Sequence, residues 1–279
     1  MQVKDLISWL NSVAPFDYAE PWDNVGLQVG DPDAPVRKVL CALDPTSSSI
    51  MEAARLGCEC LVTHHPLFLE GIKTLNASLY PQRLIFALIR QNINLIVAHT
   101  NLDVARISGN CYIADMLSLQ DRKPIDANQK FSHDSRYVGM GLVGRLQHPC
   151  TVEDLCFLLK KYLKVERIHV VGELNANVSV VAVCTGSGGS LLGKVKSLGA
   201  DCFITGELKY HNAVWAEESK LNVVALGHFG SEKFMMERIA RELEEWSVSI
   251  NDPLEVFSFE REEDHITPLK CSGVGREGC

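Results

Sequence analysis

The chain has 279 residues, long enough for one large domain or two of ordinary size, and its 46% hydrophobic content supports a substantial core. Its 35 acidic and 27 basic residues give a net charge of −8, which argues against the basic surface of a protein that binds nucleic acid directly. The N-terminal segment lacks a secretory pattern and no apolar run is of membrane-spanning length. Several of the ten cysteines lie in apolar runs, so we expect free thiols and a cytoplasmic location.

The first half alternates strand-like and helix-like segments. Strands are predicted at residues 36–44 (VRKVLCALD), 58–63 (CECLVT) and 94–99 (NLIVAH), and helices at 47–56 and 78–91. Continuous apolar strands separated by helices are typical of a parallel sheet with helices packed on it. We therefore predict a first α/β lobe over residues 1–125.

A central segment and a second α/β lobe are predicted over residues 126–270. The lobe repeats the order of the first, with strands at 178–186, 201–205 and 222–227 and helices at 191–199 and 211–219. The interval from Leu56 to Leu198 equals that from Thr63 to Thr205, at the ends of two matching strands. Either an internal duplication or the shared grammar of βαβ units explains this agreement.

Two segments lack a core-forming pattern. Residues 121–135 show no apolar period and are predicted to be a linker, after which a strand, a helix capped by Thr151 and another strand lead into the second lobe. Residues 271–279 are predicted to be a flexible tail.

Histidines and carboxylates follow several of the predicted strands. Ligands of parallel α/β sheets collect beyond the carboxyl ends of the strands, so these positions are the first candidates for chemistry. In the first half they include Asp44, the pair His64–His65 and His99. In the second they include Glu207 with His211, and His228. His64 and His65 are either polar residues that begin a loop or two ligands that leave the strand in different directions.

The third strand of each half ends in the same pattern, a histidine followed four positions later by an acidic residue. His99 precedes Asp103, and His228 precedes Glu232. Glu232 also suits the first turn of a helix, with or without a metal. Mixed nitrogen and oxygen ligands favour zinc, iron, manganese, cobalt or nickel, and a carboxylate can bridge two ions. The convergence of these residues predicts a site for two divalent metal ions.

The remaining polar motifs carry weaker signals. His133, His148, His169 and His265 are predicted to be structural or solvated. The glycine-rich segment GSGGS at residues 186–190 either cradles a phosphate or forms a flexible turn.

Six motifs in order, EPWDNVGLQVGD, THHP, AHTNLD, CTGSGGS, TGELKYH and GHFGSE, resemble the Nif-three-like family, whose members are also labelled GTP cyclohydrolase I type 2 homologues. The resemblance extends from about Leu6 to Phe259. It implies a two-lobed α/β protein with related halves, a dinuclear metal site between the lobes, and toroidal homohexamers built as trimers of dimers. The short linker indicates that this chain lacks the extra domain that some members carry between the lobes.

The resemblance also implies roles for residues at matching positions. The metal ligands would be His64, His65, Asp103, His228 and Glu232, whereas His99, Glu207 and His211 would line the pocket as candidate catalytic groups. The family's enzyme label implies opening of the guanine imidazole ring of GTP by metal-activated water. Similarity to some members is also associated with protein partners in transcription. No nucleotide motif of the G-x-x-x-x-G-K-[ST] type occurs in the sequence.

Three functions from different classes follow. The first is a metal-dependent hydrolase acting on a nucleotide or related small molecule, the second a metal storage or delivery protein, and the third an interaction scaffold with a structural metal site. We favour the hydrolase because pocket residues beyond the five ligands are hard to explain for storage alone.

Overall fold

The computed structural model describes residues 1–134 and 136–267. The helices of this part are α1 (Val3–Val13), α2 (Ser47–Leu56), α3 (Gln82–Arg90), α4 (Thr100–Asp103), α5 (Gly109–Met116), α6 (Val152–Leu163), α7 (Leu192–Ser197), α8 (Tyr210–Glu218) and α9 (His228–Ser249). Its strands are β1 (Gly26–Val29), β2 (Lys38–Ala42), β3 (Cys60–Thr63), β4 (Asn94–Val97), β5 (Gln120–Asp126), β6 (Met140–Thr151), β7 (His169–Val171), β8 (Asn177–Cys184), β9 (Cys202–Thr205), β10 (Asn222–Ala225) and β11 (Glu255–Ser258). The tail predicted at residues 271–279 lies outside the described residues.

The strands form two sheets flanked by helices, as predicted. The first has the order β1-β4-β3-β2-β11, in which the last four strands are parallel to their neighbours and β1 is antiparallel to β4. The second has the order β5-β6-β8-β9-β10-β7, in which β8, β9 and β10 are parallel and the outer strands pair antiparallel. Each sheet therefore contains a parallel trio whose strands end at the same edge.

Both faces of each parallel trio are buried, which explains the continuous apolar runs in the sequence. On β2, Cys41 packs in the hydrophobic core beneath α1 and α9. Its neighbour Ala42 packs on the opposite face of the sheet, under α2 and α3. On β8, Val183 and Cys184 divide in the same way between two clusters of the second sheet. Successive side chains point to opposite faces of a strand, so a sheet covered on both sides needs apolar residues at every position.

Helix α9 connects the two sheets. It follows β10 of the second sheet, but Met235, Ile239 and Leu243 on its buried face pack into the core of the first sheet. Burial of each such side chain contributes roughly 1.5–3 kcal/mol. The chain then continues into β11, which pairs with β2. No helix in the described ranges is long and apolar enough to span a membrane.

The structure differs from the sequence-based expectation at the predicted linker. Residues 120–126 form β5, an edge strand paired with β6, so the linker prediction is wrong for most of its first half. An exposed edge strand needs no alternation of apolar side chains, which is why the pattern did not reveal it. The division of the chain into lobes at residues 125 and 126 stays a prediction. Strand β11 joins the first sheet although it follows the second in sequence.

Candidate metal centre

The carboxyl edge of the first sheet presents three histidines. His64 and His65 follow β3 directly, and their backbone N–H groups donate to the carbonyls of Ala42 and Leu43. Their rings diverge, with centroids 5.0 Å apart at an interplanar angle of 47°. His99 follows β4, and its ring lies 5.1 Å from that of His64. The two consecutive histidines therefore turn toward different parts of one site.

The N-terminal part of α9, just after its first turn, brings Glu232 against these histidines. Glu232 is 3% exposed, and its two oxygens face different partners. Its Oε2 lies 3.1 Å from His65 Nε2 and 3.0 Å from His228 Nε2, which are 3.2 Å apart. Its Oε1 lies 3.9 Å from His64 Nε2, which is 3.7 Å from Asp103 Oδ1. Ligands around a tetrahedral ion are about 3.3 Å apart. The first set is close to this spacing, and the second, at 3.7 and 3.9 Å, is somewhat wider.

The resulting donors form three overlapping groups, each compact enough to hold a metal ion. Two groups share Glu232, one with His65 and His228 and the other with His64 and Asp103. The third group consists of His64, His65 and His99. A carboxylate with one oxygen in each of two groups is the arrangement that a bridging ligand requires.

Each histidine of the cluster is oriented through its Nδ1 atom. His65 Nδ1 lies 2.8 Å from Asp44 Oδ1, and His99 Nδ1 lies 2.9 Å from an oxygen of Asp23. The other two partners are the carbonyl of Ala98, 2.9 Å from His64 Nδ1, and Glu207, 3.1 Å from His228 Nδ1. A neutral imidazole that donates from Nδ1 presents a lone pair at Nε2, and such outer hydrogen bonds are typical of metal-binding histidines.

Two buried atoms of the cluster have no hydrogen-bond partner among the described residues. They are His64 Nε2 and Asp103 Oδ1. An unpaired buried polar group costs about 1–3 kcal/mol, and more when it is charged. A cation that accepts both lone pairs would remove this cost, so the donor set fits a divalent metal ion.

The charges of the cluster depend on one another. Burial lowers the pKa of His64 to about 3, so this imidazole is neutral at neutral pH. Burial would also lower the pKa of His65, but the hydrogen bonds to Asp44 and Glu232 outweigh it and raise the pKa to about 10. In the metal-free protein His65 thus carries a proton that a metal ion must displace.

The two central carboxylates titrate in opposite directions. Burial, assisted by the charge of Glu232, raises the pKa of Asp103 to about 7. Burial opposes ionisation of Glu232 as well, but hydrogen bonds from His228 and His65 hold its pKa below the ordinary range. A cation between them would favour ionisation of both carboxylates.

The predicted pocket residues occupy different positions relative to the cluster. His99 belongs to it, and Glu207 contacts it through His228. His211 lies on α8 with an exposed side chain, its ring 5.8 Å from that of Tyr210, and the described residues give it no contact with the cluster. His265 is 67% exposed and lies 4.0 Å from Asp44. The catalytic roles remain predictions.

The structure adds Asp23, which sequence reasoning did not single out. One of its oxygens binds His99 Nδ1, and the other accepts hydrogen bonds from the backbone N–H and hydroxyl of Thr100. Burial would raise the pKa of Asp23, but these bonds lower it to about 2. Asp23 precedes β1 and follows no strand. Its only signal in the sequence is its place in the EPWDNVGLQVGD motif.

The glycine-rich segment serves packing. The N–H of Gly186 donates to Ser231 Oγ at 3.0 Å, and that of Gly188 donates to Thr205 Oγ1 at 3.1 Å. Gly186 has φ +65°, and a Cβ there would lie 2.3 Å from Glu232 Oε1. Glycine therefore lets the backbone approach Glu232. Two of the amides that a phosphate cradle would use are already bonded within the protein.

Two layered sheets with histidines and carboxylates gathered beyond their strand ends define an α/β protein with a candidate metal-binding site. The chain belongs to the family described as Duf34/NIF3 (NGG1p interacting factor 3), whose profile matches residues 1–264. This confirms the resemblance inferred from the six sequence motifs.

Relatives and solved structures agree with this assignment. A Clostridium perfringens protein named GTP cyclohydrolase 1 type 2 homolog is 34% identical over 250 residues, which cover 88% of this chain and 92% of the relative. A Staphylococcus aureus protein of known structure superposes with a TM-score of 0.87 and 29% identity, covering 96% of this chain and 99% of its own. Reduced HcgD from Methanocaldococcus jannaschii gives a TM-score of 0.76 and 32% identity, with coverage of 93% and 98%.

Proposed function

We propose that this protein is a metal-dependent hydrolase that binds two divalent metal ions through His64, His65, Asp103, His228 and Glu232. The observation that carries the proposal is the position of Glu232, which is buried and directs one oxygen toward each of two donor sets. The unpartnered atoms of His64 and Asp103 support a cation in the second set. We infer that Glu232 and Asp103 would both be bridging ligands of the two ions, and that the site lies between the two lobes.

The ligand chemistry narrows the metal. The proposed set combines three imidazoles with two carboxylates, which suits zinc, iron, manganese, cobalt or nickel better than magnesium. The chemistry that such ions supply is polarisation of an electrophilic group of the substrate and activation of water.

The surrounding residues would position groups and move protons. Thr100 donates to Asp23, and Asp23 holds His99 through its Nδ1 atom. The Nε2 atom of His99 is therefore directed away from Asp23 and is available to exchange a proton with the substrate. Glu207 is bonded to His228 through one oxygen, and its side chain is 49% exposed, which leaves it accessible as a second proton carrier. His211, the last residue of the TGELKYH motif, is the third candidate for proton transfer.

The substrate class follows from the relatives. Several share the name GTP cyclohydrolase 1 type 2 homolog, which supports a nucleotide or related small molecule as substrate and hydrolytic ring opening as the first reaction to test. We propose that the protein works as a homohexamer without direct nucleic-acid binding. Light scattering at micromolar concentration checks the assembly, and a monomeric mass would contradict it.

The decisive experiment is anaerobic purification followed by elemental analysis. We expect two metal ions per chain. We also expect the loaded protein to hydrolyse GTP, another nucleotide or a phosphoester, with the products detected by mass spectrometry. The matched control is the Glu232→Gln variant taken through the same purification, in which we expect both metal content and turnover to be lost. A protein that contains two ions but hydrolyses none of these compounds would favour storage or delivery, especially if mild chelators remove the ions while the fold persists.

A further inference from the structure

A cavity of about 660 Å³ opens beside the cluster, and His65 and His99 form part of its wall. Most of the remaining wall comes from the segment that follows THHP, and its apolar part includes Leu67, Phe68, Ile72, Tyr80 and Pro81. Cavities of this size with apolar walls and few polar groups are typical of small-molecule sites. Its continuity with two histidines of the cluster indicates a place for the substrate.

Two aromatic rings line this space, and a third lies beside one of its histidines. Phe68 and Tyr80 belong to the wall. The Tyr80 side chain is 67% exposed, and the Arg83 guanidinium lies over its ring, 5.6 Å from the centroid. Trp22 is 57% exposed, and its ring lies 6.0 Å from that of His99. Exposed aromatic faces stack favourably on planar rings, with a contribution of about 1–3 kcal/mol per nucleobase. The cavity therefore suits a planar heteroaromatic body.

The charges around the cavity do not suit a polyphosphate. Five carboxylates belong to the cluster or contact it, those of Asp23, Asp44, Asp103, Glu207 and Glu232, and Glu70 lies in the cavity wall. Even two bound divalent ions would be neutralised by these groups, so the site would have no excess positive charge to attract a triphosphate. The glycine-rich segment gives no compensation, because the amides of Gly186 and Gly188 donate to side chains of the protein.

Besides its two histidines, Glu70 and Thr74, the cavity wall contains two polar groups that suit a smaller ligand. Lys73 is exposed, and no carboxylate of residues 1–134 and 136–267 lies within ion-pair distance of it. The Gln82 amide oxygen is buried without a hydrogen-bond partner in the same part of the chain. Rotation of this amide exchanges its donor and acceptor, so it can bond to the edge of a heteroaromatic ring.

We propose that the cavity binds the planar base of a nucleoside-like substrate with no more than one anionic group, and that it discriminates against nucleoside triphosphates. The inference rests on the proposed function, because it assigns this space to the substrate of the neighbouring metal site. Lys73 would pair with the single anionic group, and the cluster would face the bond to be hydrolysed.

The test is equilibrium binding of fluorescent 2-aminopurine riboside and its 5′-monophosphate and 5′-triphosphate to the full chain, as purified and after chelation. In both states we expect the riboside and monophosphate to bind and the triphosphate to bind at least about tenfold more weakly, with a gap that narrows as salt rises. A triphosphate that binds as tightly as the riboside, or a riboside that does not bind, would overturn the proposal.

Matched variants locate the binding to the cavity. Ile72→Asp places a carboxylate in the wall and should weaken riboside binding about tenfold or more, whereas Leu75→Asp, on the same segment but outside the wall, should leave it unchanged. Of these two ligands, Lys73→Gln should weaken the binding of the monophosphate and leave that of the riboside unchanged. Equal affinities of the Ile72→Asp and Leu75→Asp proteins for the riboside would exclude the cavity as the binding site.

The proposed hydrolase and the proposed cavity fail in different ways. In one outcome the protein contains no metal and shows no turnover, yet binds the riboside with an affinity that Ile72→Asp lowers. This result would support the cavity as the binding site and contradict the proposed hydrolase. A metal-loaded enzyme that hydrolyses GTP, and that binds 2-aminopurine riboside 5′-triphosphate more tightly than the riboside, would support the hydrolase and contradict the proposed ligand of the cavity.

Discussion

The ends of β3 and β9 occupy equivalent central places in the two parallel trios, yet they are used differently. After Thr63 the first sheet places His64 and His65, whereas after Thr205 the second sheet places Gly206 and Glu207. Both threonines are fully buried. The same strand position thus supplies proposed metal ligands in one sheet and a residue without a side chain in the other.

The space available after each strand explains this difference. A Cβ at Gly206 would lie 2.5 Å from both the Gly186 carbonyl oxygen and Ser231 Oγ. The end of β9 is therefore filled by its own glycine-rich neighbour and by the start of α9. The second half contributes its ligands one strand further along, from His228 and Glu232 of that helix. Two sheets with the same order of parallel strands can therefore place their proposed ligands after different strands.

Substitution of Glu232, the carboxylate that two donor groups share, should have the greatest consequence for metal binding. In Glu232→Gln the amide is uncharged and a poor bridge, so we expect metal affinity to fall by at least about 100-fold. Asp103→Asn should also lower metal content, but less, because Asp103 belongs to one donor group rather than two. Elemental analysis after dialysis gives the occupancy.

Two substitutions control for general damage. Glu237→Gln changes an exposed carboxylate on the same helix, and His133→Ala removes an exposed histidine outside the cluster. Both should retain the parent metal content. If Glu232→Gln and Asp103→Asn retained it too, the bridged site would be excluded.

Asp44 and Glu207 bind the Nδ1 atoms of His65 and His228, one in each half of the chain. Substituting them tests whether the two halves orient their histidines equally. Asp44 is 24% exposed and Glu207 is 49% exposed. Because the less exposed bond is stronger, Asp44→Asn should weaken metal binding about 10–100-fold, and Glu207→Gln by less than about tenfold. Titration with a competing chelator measures both, and a larger loss in Glu207→Gln would reverse the proposed order.

Acidification should release the metal. The raised pKa of His65, about 10 in the metal-free protein, means that metal binding displaces a proton at every pH below that value. Affinity should therefore fall as pH falls, by about tenfold per pH unit for one displaced proton. Calorimetry in buffers of different ionisation enthalpy counts the released protons. An affinity that stays constant between pH 8 and pH 5, taken as roughly the range in which histidine ligation is most sensitive, would argue against histidine ligands.

The smallest expected effect concerns packing at the end of β9. Gly206→Ala should lower the free energy of unfolding by about 1–3 kcal/mol, since its methyl group meets the Gly186 carbonyl and Ser231. Gly193→Ala on α7 is the matched control, because nothing lies within 4 Å of its Cβ position and alanine favours a helix by about 1 kcal/mol. Urea denaturation compares the two. Equal stability of both variants would show that the end of β9 has room for a side chain.

Sequence reasoning located the strand ends well because the signal is local. The helix predicted at Ser47–Leu56 has those bounds in the structure, and Thr151 caps α6 as expected. The apolar runs that predicted β3 and β4 also placed His64, His65 and His99 beside one edge. The edge strand β5 was missed because its exposed residues show no apolar pattern.

The partners that orient the cluster required the structure. Asp23 lies far from His99 in the chain, and the bond between them depends on how the segment before β1 packs against α4. The role of Glu207 as a partner of His228 was also not evident from the TGELKYH motif, which suggested a pocket residue.

The α/β class, the parallel strands and the residue types that follow them were evident in the sequence, because each depends on short-range patterns of apolar and polar side chains. The family resemblance implied ligands from both halves, but the packing that brings them into one cluster is visible in the three-dimensional structure alone. Helix α9 starts after a strand of the second sheet but buries Met235, Ile239 and Leu243 in the core of the first. This long-range packing carries His228 and Glu232 to His64 and His65, and no local pattern specifies it.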